Sequence, residues 1–133
     1  MVKVKLVLDS NEFILYFGTK SEDITRLFAF ENVTISLTDL IIKEVIRNIR
    51  TESIKEFINL LKNPKFEIAV DYIPQDLINK YRNLGFKKGD IVIAAFCESI
   101  KADYLVTENR HFLKSTKFEF EVLNLKELLV KLK

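Results

Sequence analysis

The sequence contains few of the residues that stabilise small disulfide-rich or zinc-binding domains, and few glycines and prolines. Its 133 residues include one cysteine, one histidine, three glycines and two prolines. A single cysteine excludes an internal disulfide framework and cannot form a zinc knuckle. No apolar run approaches the roughly eighteen residues of a membrane span. Because Lys3 and Lys5 interrupt the first apolar segment, we expect no secretory leader either, and the expected location is the cytoplasm.

Several common catalytic motifs are also missing. The one histidine, His111, has no serine or cysteine partner in a recognisable motif, which argues against a triad hydrolase. Cys97 lies in an apolar segment and is expected in the core rather than as a nucleophile. Residues 85–89 contain Lys87 and Lys88 but lack the Gly-Lys-Ser/Thr ending of a phosphate-binding loop. The two lysines are therefore either solvated turn residues or contacts for an RNA phosphate.

What the chain does contain is typical of one packed globular domain, predicted to span residues 1–133. Hydrophobic residues make up 48% of the sequence, and phenylalanine alone occurs 11 times. The net charge of +2 is too small to indicate nucleic-acid binding by itself. Basic residues nevertheless flank the acidic positions discussed below, so a phosphate-backbone partner stays open beside an ordinary charged surface. These basic residues are Arg47 and Arg50, Lys80 and Arg82, Lys87 and Lys88, and Arg110 and Lys114.

Short β-branched runs alternate with longer helical patterns, which is typical of βαβ units and a parallel sheet. The predicted strands cover residues 4–8, 33–37, 66–70, 104–107 and 118–123. The predicted helices cover residues 11–17 and 22–30, with a break at Gly18, and then 39–50, 52–61, 75–83, 90–101 and 124–131. We therefore expect a single-domain, three-layer α/β/α sandwich with a central, mostly parallel sheet of about five strands.

Acidic and amide side chains occur where the predicted strands end. Asp9 follows the first strand, Glu44 lies in the helix after the second, and Asp90 opens an apolar helix, while Glu108 and Asn109 follow the fourth strand. In an open α/β sheet these positions converge on the crevice outside the carboxyl ends of the strands. Each also has an ordinary alternative, because Asp is a common helix N-cap and a helical Glu is usually solvated.

A cluster of carboxylates favours a hard divalent cation. Neighbouring carboxylates repel one another and raise each other's pKa unless a cation lies among them. Mg²⁺ takes oxygen ligands, often one or two carboxylates together with substrate phosphate. Oxygen ligands without histidine or cysteine suit metal-assisted hydrolysis of a phosphodiester.

Three segments of the sequence resemble PIN domains. They are Leu-Asp-Ser-Asn-Glu-Phe-Ile from Leu8, Lys-Gly-Asp-Ile-Val-Ile-Ala-Ala-Phe from Lys88, and Ala-Asp-Tyr-Leu-Val-Thr-Glu-Asn-Arg-His-Phe from Ala102. In order and spacing the resemblance runs from Val4 to Leu125. It implies an endoribonuclease that depends on Mg²⁺ or Mn²⁺, and many single-domain members of this family are VapC-type toxins paired with a small antitoxin.

The resemblance assigns roles to individual residues. Asp9 matches the first metal-binding Asp, and Asn11 matches its supporting amide. Glu44 matches the acid that follows the second strand, Asp90 the acid that opens the buried helix, and Thr107 the hydroxyl at the end of the fourth strand. Asp9, Glu44 and Asp90 are thus predicted to be catalytic and to hold the metal.

The chain departs from the family pattern where the fourth strand exits. The family usually has Asp where this chain has Asn109. Asn109 is predicted to complete the site as a neutral donor, unless the adjacent Glu108 takes that role. Whether the site binds one metal or two therefore stays open. The alternative function is a catalytically weak PIN-like domain that binds RNA or a protein. Apolar residues in segments 28–30 and 125–129 are the predicted surface for a homodimer or an antitoxin.

Overall fold

A five-stranded parallel sheet forms the centre of the structure, a computed structural model that describes residues 2–19, 21–69, 73–115 and 118–133. The strands run in the order β3-β2-β1-β4-β5, and every neighbouring pair is parallel. The predicted α/β fold is therefore confirmed, with a sheet that is parallel throughout. The strands are β1 (Val4–Leu8), β2 (Val33–Leu37), β3 (Phe66–Ile68), β4 (Tyr104–Val106) and β5 (Glu121–Leu123).

Helices among the described residues cover both faces of this sheet. They are α1 (Ser10–Thr19), α2 (Glu22–Ala29), α3 (Asp39–Asn48), α4 (Thr51–Leu60), α5 (Gln75–Asn83), α6 (Lys88–Ser99), α7 (Arg110–Leu113) and α8 (Leu125–Leu132). Because crossovers between parallel strands are right-handed, α1–α4 lie on one face and α5–α7 on the other. Helix α8 packs against α2 and so joins the first face. No helix in the described segments is long and apolar enough to cross a membrane.

The sheet has its topological switch point between β1 and β4. From β1 the chain moves to β2 and β3 on one side, and after the return to β4 it moves to β5 on the other. The connections that leave β1 and β4 therefore diverge and open a crevice at the carboxyl ends of these strands. Leu6, Val7 and Leu8 are fully buried, as expected for a strand covered on both faces.

Three local features differ from the sequence expectations. Helix α1 continues through Gly18 instead of ending there. Helix α6 begins at Lys88, so Asp90 is its third residue and not its cap, and the N-cap residue Lys87 makes no side-chain capping bond. The short helix α7 was not expected. The other helix ends lie within two residues of their predicted positions, a difference usual for helix termini.

Both predicted edge strands are longer than the observed ones. The segment 66–70 ends as a strand at Ile68, and residue 70 lies outside the described residues. The segment 118–123 becomes a strand only at Glu121. Before it, Phe118 stacks on Phe120, with ring centroids 4.8 Å apart, and on Tyr81. Short edge strands also limit unwanted pairing with other chains.

The expected apolar surface at residues 125–129 is largely used inside the chain. Leu125, Leu128 and Leu129 are buried, and α8 packs against α2. The expectation that these leucines are surplus apolar residues is therefore wrong. Phe30 and Leu129 contribute to the wall of an open groove of about 480 Å³.

Candidate active site

Asp9 lies at the switch point, where two strands fix its position. Its backbone N–H donates to the carbonyl of Val106 (2.9 Å), which extends the pairing of β1 with β4 by one residue. The carboxylate is 7% exposed. Its Oδ1 accepts the N–H of Ser10 (2.8 Å) and its Oδ2 accepts the hydroxyl of Thr107 (2.7 Å). Because Ser10 opens α1, Asp9 also accepts a hydrogen bond from an amide of the first helical turn.

Hydrogen bonds continue from Asp9 in both directions along this edge. On one side, the Ser10 hydroxyl donates to Oε2 of Glu44 (2.7 Å). On the other side, the Asn109 N–H donates to the hydroxyl oxygen of Thr107 (3.0 Å). The network thus links residues from α1, α3 and the β4 exit. Four of the predicted site residues are connected in this way, and Asp90 follows through Asn109.

The side-chain amide of Asn109 forms one hydrogen bond to Asp90 and another to the first turn of α7. Its Oδ1 accepts the N–H of His111 (3.0 Å) as the N-cap of α7. Its Nδ2 then faces Asp90 and donates to Oδ1 of that carboxylate over a long 3.4 Å. An Asp at this position, which the resemblance to PIN domains led us to expect, would have no proton to donate to Asp90. The oxygen that we expected as a metal donor instead caps α7 here.

The electrostatics of Asp9 show that the acids act on one another. Burial raises its pKa above the usual 3.8, and the charges of Glu44 and Asp90 raise it further. The hydrogen bonds from Thr107 and Ser10 oppose that rise because they stabilise the charged form. A carboxylate in this position gains from any cation that approaches the edge.

Two of the predicted residues are not joined to this network. Asn11 is exposed on α1, and its side chain has no hydrogen bond to another described residue. Glu108 is exposed and points to a different neighbourhood, because it lines a cavity of about 380 Å³ together with Glu12. Asn109, and not Glu108, is therefore the residue of this turn that contacts Asp90.

Ser10 and Glu12 belong to this neighbourhood although neither was predicted as a site residue. Ser10 bridges Asp9 and Glu44, and its place between the two motif residues Asp9 and Asn11 was the only signal for it. Glu12 is 3% exposed, and its Oε1 has no hydrogen-bond partner among the described residues. Burial, followed by the charges of Glu108 and Asp9, raises its pKa from 4.5 to about 7. A buried carboxyl without a partner is costly in its charged form, so Glu12 favours the protonated state.

The donor set fits a hard divalent cation held by few protein ligands. Across residues 2–19, 21–69, 73–115 and 118–133, no three Asp, Glu, His or Cys side chains are placed to hold a metal ion together. Mg²⁺ does not require such a cage, since it usually binds one or two carboxylates and keeps several waters. Asp9 and Asp90 offer carboxylate oxygens at one edge, and each oxygen that accepts one hydrogen bond retains a further lone pair.

Comparison with solved structures identifies the fold. The structure of VapBC-1 from nontypeable Haemophilus influenzae matches with a TM-score of 0.71 and 16% identity, covering 92% of this chain and 99% of that chain. The chain has a PIN-domain fold. DNA-bound VapBC from Salmonella typhimurium matches with a TM-score of 0.67 and 19% identity over 94% and 99% of the two chains. PAE2754 from Pyrobaculum aerophilum matches with a TM-score of 0.61 and 23% identity over 97% and 95%.

The PIN fold is recognisable here beyond the reach of overall sequence similarity. No family model and no curated protein matches the sequence. The resemblance inferred from three motifs nevertheless agrees with the structural comparison, which covers more than nine tenths of the chain.

Proposed function

We propose that the chain is a metal-dependent endoribonuclease that hydrolyses RNA phosphodiester bonds. The observation that carries the proposal is the hydrogen-bonded series Glu44–Ser10–Asp9–Thr107–Asn109–Asp90 at the switch point of a PIN fold. Ligand sites of open α/β sheets lie at this place. Three carboxylates there concentrate negative charge without a cationic side chain in the network.

Mg²⁺ or Mn²⁺ would be held by Asp9 and Asp90, with Glu44 on the flank. When bound, such an ion polarises a phosphoryl oxygen and lowers the pKa of water. The protein's own contribution is positioning. Thr107 donates to Asp9 and orients that carboxylate, and Ser10 does the same for Glu44. Such supporting hydrogen bonds to ligating carboxylates typically change metal affinity or activity by about 10-fold to 100-fold when removed.

Asp9→Asn and Asp90→Asn each test the proposal directly. We expect either variant to lose Mn²⁺-dependent cleavage of single-stranded RNA while its circular dichroism spectrum is unchanged, because one ligating charge is lost. Asp76→Asn is the matched control, since Asp76 is exposed on α5. Single-stranded DNA of the same sequence tests the choice of RNA. Metal-dependent cleavage by the purified double variant would refute the proposal.

We also propose that the chain is the toxin of a toxin–antitoxin pair. The solved structures that support this are described as VapBC complexes, one of them bound to a promoter DNA fragment. The partner would be a small DNA-binding protein encoded beside this chain. Co-purification of the two, with inhibition of RNA cleavage, is the expected result. Sedimentation of the chain alone tests the homodimer that the sequence left as an alternative to an antitoxin.

A catalytically weak RNA-binding or protein-interaction domain is the second candidate. It is favoured by the lack of a three-ligand group in the described segments and by the neutral Asn109. Calorimetric titration with Mn²⁺ separates the two functions. The nuclease requires binding in the millimolar range or tighter that Asp90→Asn abolishes, whereas the weak domain shows no binding.

A further inference from the structure

A cavity of about 280 Å³ opens beside Asp90 and shares no lining residue with the cavity lined by Glu12 and Glu108. Its wall combines an apolar part, Leu84 and Phe86, with two basic side chains, Lys87 and His111. Asp90 therefore borders both the hydrogen-bonded network and this cavity. A ligand group bound at the acids has the cavity as its immediate neighbour.

The apolar part of the wall is fixed by the turn between α5 and α6. Gly85 adopts a left-handed φ of 92°, its N–H donates to the carbonyl of Arg82, and the N–H of Phe86 donates to that of Tyr81. These two bonds form a Schellman motif, which ends α5 and lets the chain reverse. The ring of Phe86 then packs at 6.0 Å from that of Tyr81.

The ring of Phe86 packs against a cluster of other aromatic rings. The ring lies 5.7 Å from that of Phe112 at an interplanar angle of 20°, and 5.4 Å from that of Phe118. Phe86 is nonetheless only half-buried, and Leu84 is 38% exposed. The cavity therefore presents a rigid apolar surface to solvent, which preserves its shape before a ligand binds.

Asn109 links His111, in the basic part of the cavity wall, to the carboxylate of Asp90. The N–H of His111 donates to Asn109, whose amide also contacts Asp90. Lys87, the residue immediately before α6, contributes the other basic side chain of the wall. Both side chains are exposed, and within the described part of the chain neither forms an ion pair. A lysine ammonium and an imidazole that can donate a ring N–H, beside a group of carboxylates, fit a ligand that is itself negatively charged and binds through a cation.

We propose that this cavity binds the nucleotide next to the scissile phosphate, with its base or ribose on Leu84 and Phe86 and its phosphate on Lys87 and His111. The inference rests on the proposed ribonuclease function and adds the subsite that holds the substrate. Aromatic and apolar surfaces accept any base, and phosphate contacts carry no sequence information. The subsite therefore contributes affinity and register, not sequence choice.

RNA binding by a protein that cannot cleave provides the test. The probe is fluorescein-labelled single-stranded RNA of mixed sequence, titrated with the Asp9→Asn protein in Mn²⁺. Adding Lys87→Ala and His111→Ala together should weaken binding about tenfold. It should also reduce the slope of log affinity against log salt by about 0.7 for each phosphate that the protein no longer neutralises. A purely structural role of these residues would not change that slope.

Matched variants separate this subsite from a general charge effect. Lys62→Ala removes a lysine at the opposite edge of the sheet, before β3, and should leave affinity within about twofold. Leu84→Ser removes apolar wall from an exposed position and should weaken binding without altering the salt slope. In the cleaving protein, Lys87→Ala should raise KM with little change in kcat, because it removes binding shared by ground and transition states.

Three results would overturn the inference, and they differ in meaning. Unchanged affinity and salt slope in the Lys87→Ala and His111→Ala protein would exclude the cavity as the subsite while the ribonuclease proposal stands. No RNA binding by the Asp9→Asn protein, together with no cleavage by the parent chain, would refute both. A parallel titration with a glutamate-rich peptide should show no binding, and saturable binding would assign the basic wall to an acidic protein.

Discussion

Glu12 makes the stability of this protein depend on pH in a direction opposite to that of most carboxylates. The side chain is 3% exposed, and Oε1 has no hydrogen-bond partner among the described residues. Its pKa rises from 4.5 to about 7, mainly through burial and further through the charges of Glu108 and Asp9. The folded state therefore retains a proton over a pH range in which the unfolded chain has already lost it.

The sign and size of the effect follow from proton linkage. Between about pH 4.5 and pH 7 the folded state binds more protons than the unfolded state, so the free energy of unfolding falls as the pH rises. Each pKa unit corresponds to about 1.4 kcal/mol. The rise from 4.5 to about 7 thus removes about 3 kcal/mol above pH 7, a large part of the about 5–15 kcal/mol that stabilises a typical domain.

Glu12→Gln should remove this dependence because glutamine keeps the shape without a titrating proton. Relative to the parent chain, the variant should gain about 3 kcal/mol in free energy of unfolding between about pH 4 and pH 8. Urea unfolding at both pH values, in EDTA to exclude cations, measures the gain. Glu31→Gln is the control, since Glu31 is exposed and should give no such change.

Glu108→Gln provides a second check on the cause. Removing the second-largest contribution should lower the pKa of Glu12 in part, and with it part of the pH dependence. A gain of less than about 1 kcal/mol for Glu12→Gln over the same pH interval would refute the reasoning. It would mean that the carboxyl is solvated or paired in solution.

Three further predictions concern the network and its surroundings. Asn109→Asp should destabilise the chain by about 1 kcal/mol in EDTA, because it replaces the donor to Asp90 by a like charge. The variant should also bind Mn²⁺ more tightly than the parent chain. Thermal unfolding with and without Mn²⁺ measures both effects. Thr107→Val should cost about 1–3 kcal/mol in urea unfolding, since Asp9 loses a buried donor, and Thr107→Ser should recover most of it. Cys97 is fully buried, and burial raises the pKa of its thiol, so a thiol reagent should label it only as fast as the fold opens; rapid labelling under native conditions would contradict this.

The strands were predictable because burial on both faces produces a local sequence pattern. The runs at residues 4–8 and 33–37 coincide with β1 and β2. Errors occurred where tertiary contacts override local preference. Phe118 has a strand-like sequence context but stacks on Phe120 and Tyr81.

The acids of the candidate site could be singled out from the sequence, but the network that connects them could not. A carboxylate after a strand is visible in sequence, and the sheet topology brings Asp9 near the β4 exit. The hydrogen bond from Thr107 spans 98 positions, and only the folded chain shows it. Asn109 contacts both Asp90 and α7, and Glu12 is buried. Both features depend on side-chain rotamers and on distant neighbours, which the spacing of residues along the sequence does not reveal. Ser10 was missed for the same reason, because its partner Glu44 lies 34 positions away.

Asn109 changes how the charge at this edge is balanced. In a site with four carboxylates, a bound cation must supply most of the compensation, since like charges close together raise each other's pKa. Here the Asn109 amide donates a hydrogen bond to Asp90, and the Ser10 N–H and the Thr107 hydroxyl donate to Asp9. These groups compensate part of the negative charge that a bound cation would otherwise compensate. The same amide leaves the edge with one negative charge fewer, and the attraction for a divalent cation falls with it. If the proposed metal site exists, Asn109 would therefore favour stability of the unliganded fold over metal affinity, and Asn109→Asp is expected to shift the two quantities in opposite directions.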